Sequence, residues 1–468
     1  MRRMSTIVSL VVLAALAVLS GAIGDQARAE IRAGPTTGRA VQSPTGEPGR
    51  APVPPAAIPG KPTVATPPAK AAPMPPIVFF VAKGEPNACG LGCSEWIAAE
   101  GTIDPGAEDR LRALLKRLGG RKLPIYFHSP GGSVPDGLAI GRLMRHHGMT
   151  AGVAWTVPAG CDPNQQREPA CDKLKRSGRE LAAALDGSHV MCNSSCVYAL
   201  VGAAVREVGA GVKLGVHSSS VLFSLRRMDA EGHVTRTTTH VAPVVERKAL
   251  QGGYDRIAVY LREMGISAGL LAAAREIAND RVRFLTRDEI FAFGIDRRDR
   301  VESPWWFVDK APVSAIKIIE AKGSEAGPFR RTILRLACRT SLGLQFQYGH
   351  EVGAEKATLP PRLRVTAGEG HYPLGRAVTV GPSDNALPLE VRGAELPVTV
   401  LRDEALVVEA AAPAGTATPT AGAGAQSTAA DAGFAKLTAQ NMGPGLGALA
   451  RHCSSLPAPA PRAPARGT

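Results

Sequence analysis

The chain has 468 residues, enough for about two or three domains, but only 4% are aromatic, while 51 glycines and 38 prolines predict that parts do not pack. A net charge of +14 would suit nucleic acid or an anionic surface, yet the basic residues are interspersed with acidic ones and lack aromatic platforms. We therefore expect a solvated basic surface and no nucleic-acid partner. Association with an anionic envelope surface stays open.

Residues 1–29 have the pattern of a secretory signal peptide. Arg2 and Arg3 precede an apolar run over 7–23, and Ala27-Arg28-Ala29 supplies the small residues needed for cleavage. The run is short for a membrane span, although an uncleaved anchor stays open. No cysteine follows it directly, which argues against a lipid anchor, and no second long apolar segment follows. We expect a soluble mature protein that is periplasmic or secreted.

Residues 30–76 are rich in proline, alanine and glycine, which predicts an extended, disordered linker. From residue 77, strand-like and helical segments alternate: IVFFVAKG, CSEWIAAEGTI, a helix over 105–118, LPIYFHS, the helical DGLAIGRLMRHHG, and TAGVAW. An insertion near 156–186 interrupts the alternation, which resumes with CNSSC, VKLGVH, two amphipathic helices within 243–278, and the helix TRDEIFAFG. This alternation predicts an α/β domain over 77–310, with a parallel sheet covered by helices.

The last third of the chain changes character. Residues 328–408 contain short β-like runs with almost no helical period, which predicts a small β-rich domain. Residues 409–433 are rich in alanine, threonine and glycine and read as a disordered linker. A terminal helix over 434–453 and a disordered tail over 454–468 complete the chain.

The eight cysteines indicate disulfides, because an even count in an exported chain usually means bonded pairs. Their spacing favours pairing of near neighbours, although many pairings are open to eight cysteines. The favoured pairs are Cys89 with Cys93, Cys161 with Cys171, Cys192 with Cys196, and Cys338 with the distant Cys453. Zinc is the rival interpretation, but the characteristic CxxC pairs are missing. We expect neither a metal nor another cofactor.

Three segments carry residues that suit acyl chemistry. In HSPGGSV, at 128–134, paired glycines between a strand and a helix let backbone amides approach a ligand, although a plain glycine-rich connection is an equally good interpretation. Ser194 follows a strand at a helix start, where a serine is usually a cap but also lies near free amides. His217 ends the strand KLGVH; such a histidine is more often structural, yet a nucleophilic serine needs a base of this kind.

The order and spacing of these segments resemble the proteolytic subunit of the Clp protease (ClpP) and its crotonase-like superfamily, over about 77–300. The resemblance is closer to exported ClpP-like proteins with a C-x-S-x-C segment and a CSEWIAAEG-type entry strand. It implies a ClpP/crotonase-like βα domain followed by the β-rich domain. It also makes Ser194 the nucleophile and His217 the general base. Gly131, Gly132 and the amide of Ser195 would form the oxyanion hole.

The segment NDRVRFLTRDEIFAFGID resembles the family's closing segment but departs from it in one place. Val282 stands where the family has an aspartate, and Asp280, two residues earlier, is the candidate orienting acid. Cys192 and Cys196 are expected to brace the turn that presents Ser194, bonded to each other or to the cysteines of the insertion.

These residues predict an exported serine hydrolase, a peptidase acting on peptide or protein substrates. The alternative is a non-catalytic envelope binding protein that retains the fold, which the missing aspartate favours. Acyl-CoA chemistry fits poorly, since that cofactor is cytosolic and the serine and histidine have no use there. A homo-oligomer stays open.

Overall fold

The computed structural model describes residues 8–12, 64–65, 74–162, 166–187, 190–219, 222–228, 234–241, 247–309, 312–322, 327–352, 362–380, 387–403, 405–411, 437–440 and 444–457. The predicted signal peptide and the linker over 30–76 lie outside these ranges except at 8–12, 64–65 and 74–76. Most of the linker over 409–433 and of the tail over 454–468 also lies outside them, as do residues 434–436 of the predicted terminal helix. Residues 437–440 form a strand, so the prediction of a helix over 434–453 is wrong there, and the helix begins at Pro444.

Near residue 300 the secondary structure changes from alternating strands and helices to a series composed almost entirely of strands. The first part contains β1 (Val8–Val12), β2 (Val64–Ala65), β3 (Val78–Lys83), β4 (Glu95–Glu100), α1 (Ala107–Leu118), β5 (Ile125–His128), α2 (Val134–His146), β6 (Thr150–Val153), β7 (Trp155–Pro158), α3 (Pro169–Lys175) and β8 (Leu181–Asp186). Next come β9 (Cys192–Asn193), α4 (Ser195–Gly202), β10 (Val205–Glu207), β11 (Leu214–Val216), β12 (Leu222–Met228), β13 (Val234–Val241), α5 (Arg247–Glu263), α6 (Gly269–Arg275), β14 (Val282–Phe284) and α7 (Arg287–Ala292).

The strand-rich part begins with β15 (Arg300–Glu302), β16 (Trp306–Val308), β17 (Ser314–Lys322), β18 (Phe329–Cys338), β19 (Gly343–Glu351), β20 (Leu363–Ala367), β21 (Gly370–Pro373) and β22 (Val378–Val380). It ends with β23 (Leu389–Pro397), a 3₁₀ helix (Val398–Arg402), β24 (Ala405–Ala410), β25 (Leu437–Gln440) and α8 (Pro444–Ser454). The protein is therefore a mixed α/β chain.

The chain divides into two compact units. The smaller comprises residues 1–58 and 220–251, and its described strands form a three-stranded antiparallel sheet in the order β1-β12-β13. The larger comprises residues 59–219 and 252–468 and includes most of both predicted domains.

A seven-stranded sheet in the order β10-β6-β5-β4-β3-β8-β7 forms the framework of the first predicted domain. Strands β10, β6, β5 and β4 are parallel, but β3 is antiparallel to β4, and β7 is antiparallel to β8. The sheet is therefore mixed, and the expectation of a parallel sheet is wrong for the pairs β3–β4 and β7–β8. The connection from β3 to β4 is short and contains the Cys89–Cys93 pair, and such a connection joins only antiparallel strands, whereas parallel strands need a longer crossover.

The helices form where the sequence supplies an apolar stripe and a start signal. In α1 the buried residues Ala107, Leu111, Leu114 and Leu118 recur at helical spacing, and the helix ends at Gly119 in a left-handed conformation. Helix α2 begins at Ser133, whose hydroxyl accepts a hydrogen bond from the amide of Asp136.

Helix α4 is buried along its whole length and crosses α2 closely. A Cβ on Gly137 would lie 2.7 Å from the carbonyl oxygen of Ser195, so the two helix backbones meet where only glycine fits. The hydroxyl of Tyr260, from α5, donates to the carbonyl of Tyr198 at 2.7 Å and locks a third helix onto the pair. This packing fixes the start of α4 relative to the sheet.

A second, four-stranded sheet has the order β2-β14-β11-β9. Strand β9 is parallel to β11, with Asn193 opposite Gly215, and β14 is antiparallel to β11, with Arg283 opposite Val216. This sheet brings the strand that leads to Ser194 beside the strand that leads to His217.

The strand-rich part has its own hydrophobic core, drawn from residues 305–453, while the first domain's main core lies within 77–295. One sheet has the order β15-β17-β18-β19-β23-β22, with β16 also paired to β17, and the other β21-β20-β24-β25. The first of these sheets begins at Arg300, before the predicted start at 328, because β15, β16 and β17 pair into it. Helix α8 packs in this core through Leu446, Leu449 and Cys453.

The eight cysteines form four disulfides, which are the pairs of near neighbours and the distant pair that the spacing favours. They join Cys89 to Cys93, Cys161 to Cys171, Cys192 to Cys196, and Cys338 to Cys453. The last one ties α8 to β18. In the part of the chain that the structure describes, no helix is long and apolar enough to cross a membrane.

Candidate active site

Ser194 lies in a tight turn between β9 and α4 with an unusual backbone conformation. Its φ is +56° and its ψ is −124°, a region that residues with a side chain rarely occupy. The turn is held by hydrogen bonds from the Ser194 amide to the carbonyl of Gly215 (2.7 Å) and from the amide of Val197 to the carbonyl of Ser194 (3.0 Å). A strained strand-to-helix turn of this kind exposes a nucleophilic serine in hydrolases.

A disulfide closes the same turn. Cys192 and Cys196 flank Ser194, and their Cα atoms lie 5.2 Å apart. Both cysteines are fully buried, so the bond anchors the turn to the core of the domain. Of the two pairings expected for these cysteines, the structure has the one that joins them to each other.

The glycine loop after β5 packs directly against the Ser194 turn. Gly131 and Gly132 have φ of +96° and +140°, and a Cβ on Gly131 would lie 2.5 Å from the carbonyl oxygen of Asn193 and 2.7 Å from the Cβ of Ser194. Only glycine fits this approach. The loop and the turn, 60 residues apart in sequence, therefore meet at one place.

The backbone amides at this meeting point differ in whether they have acceptors. The amide of Gly131 donates to the hydroxyl of Ser129 at 3.1 Å, whereas the amides of Gly132 and Ser195 have no acceptor among the described residues. The Ser195 amide is free because the first amides of a helix have no partner within it. Of the three predicted oxyanion-hole residues, Gly132 and Ser195 have backbone amides without an acceptor among the described residues. Gly131, which has no side chain, allows the glycine loop to pack against the Ser194 turn.

The side chain of Ser195 points away from this place. It is fully buried, its hydroxyl has no hydrogen-bond partner among the described residues, and its Cβ lies 3.1 Å from where a Cβ on Gly137 would stand. Ser195 is thus packed against α2 and unable to meet a substrate. Ser194 is the serine of the pair that the turn presents.

His217 follows β11 and is half-buried. Its Nδ1 lies 2.8 Å from the carbonyl oxygen of Ser218; since a carbonyl can only accept, the proton is on Nδ1 and Nε2 is the basic atom. His217 and Ser194 both stand at the carboxyl ends of adjacent parallel strands. No hydrogen bond joins the Ser194 hydroxyl to this ring in the described part of the chain, and in an empty site such bonds are often long.

Asp280, the predicted orienting acid, is exposed, and no hydrogen bond joins it to His217 among the described residues. The pairing of Val216 with Arg283, continued by one residue, places Val282 opposite His217. On this extended register an apolar side chain, rather than a carboxylate, would face the ring. The carbonyl of Ser218 is the acceptor at that ring instead.

A second histidine, His128, lies at the start of the glycine loop but is unsuited to catalysis. It is 1% exposed and stacks on Trp155 with ring centroids 4.3 Å apart. Burial, aided by the positive charges of Lys175 and Arg167, lowers the pKa of His128 to about 3. It is therefore neutral and packed, and the sequence marked it only as the residue that opens HSPGG.

A buried ion pair behind His128 was not foreseen from the sequence. Lys175 donates to Glu100 at 2.6 Å, and both side chains are 5% exposed. Glu100 is on β4 and Lys175 on α3 of the insertion, and no local pattern links residues so far apart. Burial raises the pKa of the Glu100 carboxyl, and the charge of Lys175 opposes that shift.

Comparison with known proteins adds little. No family model matches the chain, and no curated protein matches it. Among solved structures, the chain is similar to a serine-to-alanine mutant of the membrane-bound stomatin-specific protease 1510-N, with 12% identity and a TM-score of 0.24 over 42% of this chain and 75% of that chain. A TM-score this low supports neither a fold nor a function. No group of three or more metal-binding side chains is found among the described residues.

Proposed function

We propose that the protein is an exported serine hydrolase that cleaves peptide bonds, with Ser194 as nucleophile, His217 as general base and a ClpP/crotonase-like arrangement of the first domain. The observation that carries this proposal is the backbone of Ser194, at φ +56° beside two amides that have no acceptor in the described part of the chain. Strain of this kind persists only where surrounding structure enforces it, and it concentrates at functional sites.

The chemistry follows from the atoms at the site. The hydroxyl oxygen of Ser194 attacks the scissile carbonyl carbon while its proton passes to Nε2 of His217. The carbonyl oxygen becomes an oxyanion and accepts hydrogen bonds from the amides of Gly132 and Ser195. His217 then donates its proton to the leaving amine, and a water molecule hydrolyses the acyl-enzyme by the same two steps.

The proposal includes export because disulfides form and persist in oxidising compartments. Four disulfides among the described residues suit an oxidising compartment, and the sequence begins with a signal-peptide pattern. The periplasm or the extracellular space meets this requirement.

The second candidate function is a non-catalytic binding protein of the envelope. Val282 opposite His217 and the exposed position of Asp280 favour it, because the orienting carboxylate of a triad is missing. Catalysis by a serine and a histidine alone needs only a fixed tautomer, which the Ser218 carbonyl supplies.

The deciding experiment is labelling of the purified protein with a fluorophosphonate probe, which reacts only with activated serines. We expect labelling of the wild type and of Ser195→Ala, whose backbone amide is unchanged, and none of Ser194→Ala. Absence of wild-type labelling would favour the binding protein. Equal labelling of Ser194→Ala would mean that another serine reacts.

A further inference from the structure

A cavity of about 350 Å³ lies beside the buried ion pair, apart from the Ser194 turn. It is walled by the end of β4, by Trp155 and by helix α3 of the disulfide-closed insertion, with Val78 on an apolar side. Its size is at the lower end of the range for small-ligand sites, and it has the usual mixture of an apolar wall with a few polar groups.

The negative charges at this cavity are already neutralised. Glu100 accepts hydrogen bonds from Lys175 (2.6 Å) and from the amide of Thr156 (2.9 Å). Asp172, on the outer rim, is paired with Arg176 at 2.9 Å. A cationic ligand would find no unpaired carboxylate among the described residues that line the cavity.

One cation at the cavity, in contrast, is not paired with a described carboxylate. Arg167 is exposed at the rim and has no salt bridge to a described residue. Lys175 has further N–H groups besides the one given to Glu100. Both positive charges also contribute, after burial, to lowering the pKa of His128. Because the carboxylates that line the cavity are already paired, the charged group left to meet a ligand at the rim is a cation, which favours an anion.

One buried acceptor at the cavity lacks a donor. Gln166 is 3% exposed, and its Nε2 donates to the carbonyl of Asp162 at 2.8 Å. That bond fixes the amide, and its Oε1 is buried with no hydrogen-bond partner among the described residues. Buried polar atoms are almost always satisfied, so this oxygen calls for an N–H or O–H group from a ligand.

We propose that this cavity binds an α-carboxylate flanked by an N–H donor, the chemistry shared by the C-terminal residue of a peptide and by a free or N-acylated amino acid. The carboxylate meets Arg167 and Lys175, the neighbouring N–H donates to Oε1 of Gln166, and the side chain lies against Trp155 and Val78. Binding requires no reaction at Ser194, so it stands or falls separately from the proposed hydrolysis.

The test is isothermal titration calorimetry on the full-length protein carrying Ser194→Ala, which prevents cleavage. The probes are a hexapeptide ending in leucine, the same peptide with a C-terminal amide, N-acetyl-leucine and leucine. We expect the free acid to bind at least about tenfold more tightly than the amide, because hydrogen bonds to charged groups are the stronger kind. Equal binding of acid and amide, or no binding of any probe, would overturn the proposal.

Two variants and a control locate the site. Arg167→Ala and Gln166→Leu should each weaken binding of the free acid by about tenfold. Arg179→Ala, which changes another exposed arginine of the same insertion outside this cavity, should leave it unchanged. An unchanged affinity in Arg167→Ala sinks the proposal even if Gln166→Leu unfolds.

The probes also separate the two sources of the ligand. Binding of the peptide with little binding of leucine or N-acetyl-leucine identifies a peptide end, whereas equal binding of the small probes identifies an amino acid. Fluorophosphonate labelling of Arg167→Ala with Ser194 intact should match wild type. Loss of peptide binding with labelling retained would therefore leave the hydrolase proposal untouched.

Discussion

Nδ1 of His217 lies 2.8 Å from the carbonyl oxygen of the next residue, Ser218. A carbonyl fixes the tautomer of the ring as a carboxylate would, but it carries no charge and stabilises the imidazolium less. The proposed hydrolase should therefore turn over slowly compared with enzymes that have a complete triad. The register of β11 and β14 shows where a charge would act.

A carboxylate opposite His217 should raise activity. Val282→Asp places one there, and we expect the rate of fluorophosphonate labelling to rise at least about tenfold, since positioned acid–base groups contribute on that order or more. Second-order rate constants of labelling at pH 7 provide the measurement.

Two amide variants are the controls for this substitution. Val282→Asn has nearly the same shape as aspartate without its charge and should gain little, so equal gains would argue against an electrostatic cause. Asp280→Asn should leave labelling unchanged, because Asp280 is exposed and makes no hydrogen bond to His217 among the described residues. A large loss in Asp280→Asn would restore Asp280 as the orienting acid.

The strained conformation of Ser194 should cost stability that glycine recovers. Ser194→Gly and Ser194→Ala both remove the hydroxyl, but only glycine adopts φ near +56° without a steric penalty. We expect Ser194→Gly to unfold at higher denaturant concentration than Ser194→Ala, by about 1 kcal/mol in the free energy of unfolding. A glycine variant no more stable than the alanine one would show that the turn is relaxed.

His128 should make stability depend on acid pH. Its pKa is about 3 in the folded protein and about 6.5 when unfolded, so between these values only the unfolded chain binds the proton. Stability from this residue is full above pH 6.5 and is lost as the pH falls toward 3, by about 1.4 kcal/mol per pH unit.

Denaturant unfolding at pH 4, 5, 6 and 7 measures this slope. His128→Phe keeps a ring against Trp155 but cannot titrate, and its slope should be smaller than that of the wild type by the stated amount. Identical slopes would mean that folding does not lower the pKa of His128.

The distant disulfide should matter more than a local one. Cys338 and Cys453 are 115 residues apart, and in the chain-entropy model this bond contributes about 5 kcal/mol, against about 2 kcal/mol for the four-residue separation of Cys89 and Cys93. We expect Cys338→Ala/Cys453→Ala to lose more stability in denaturant unfolding than Cys89→Ala/Cys93→Ala. The reverse order would contradict the entropic explanation.

Local signals predicted the helices and the turn well. The helical pattern of DGLAIGRLMRHHG predicted α2, and the paired glycines with Ser194 marked two segments that meet in space. These features are encoded by neighbouring residues, since capping and left-handed backbone depend on one or two positions.

Features built from distant residues were not predicted. Strands β15, β16 and β17 belong to the later β sheet. Hydrophobic periodicity within a strand does not show which other strand it pairs with. The cavity is lined by Val78, Glu100 and Gln166, which are far apart in the sequence. The only sequence feature near it was the cysteine pair of the insertion. The role of Asp280 stays a prediction for a similar reason, because reach to His217 depends on strand register and not on sequence distance.

The Cys192–Cys196 bond makes the conformation of the Ser194 turn depend on oxidation. When both cysteines are reduced, no covalent bond closes the strained turn at Ser194. Relaxation of that turn would release the stored strain and shift the Ser194 hydroxyl relative to the amides of the proposed oxyanion hole. Under the proposed export, the serine would therefore be held in its reactive position only after oxidation of this cysteine pair.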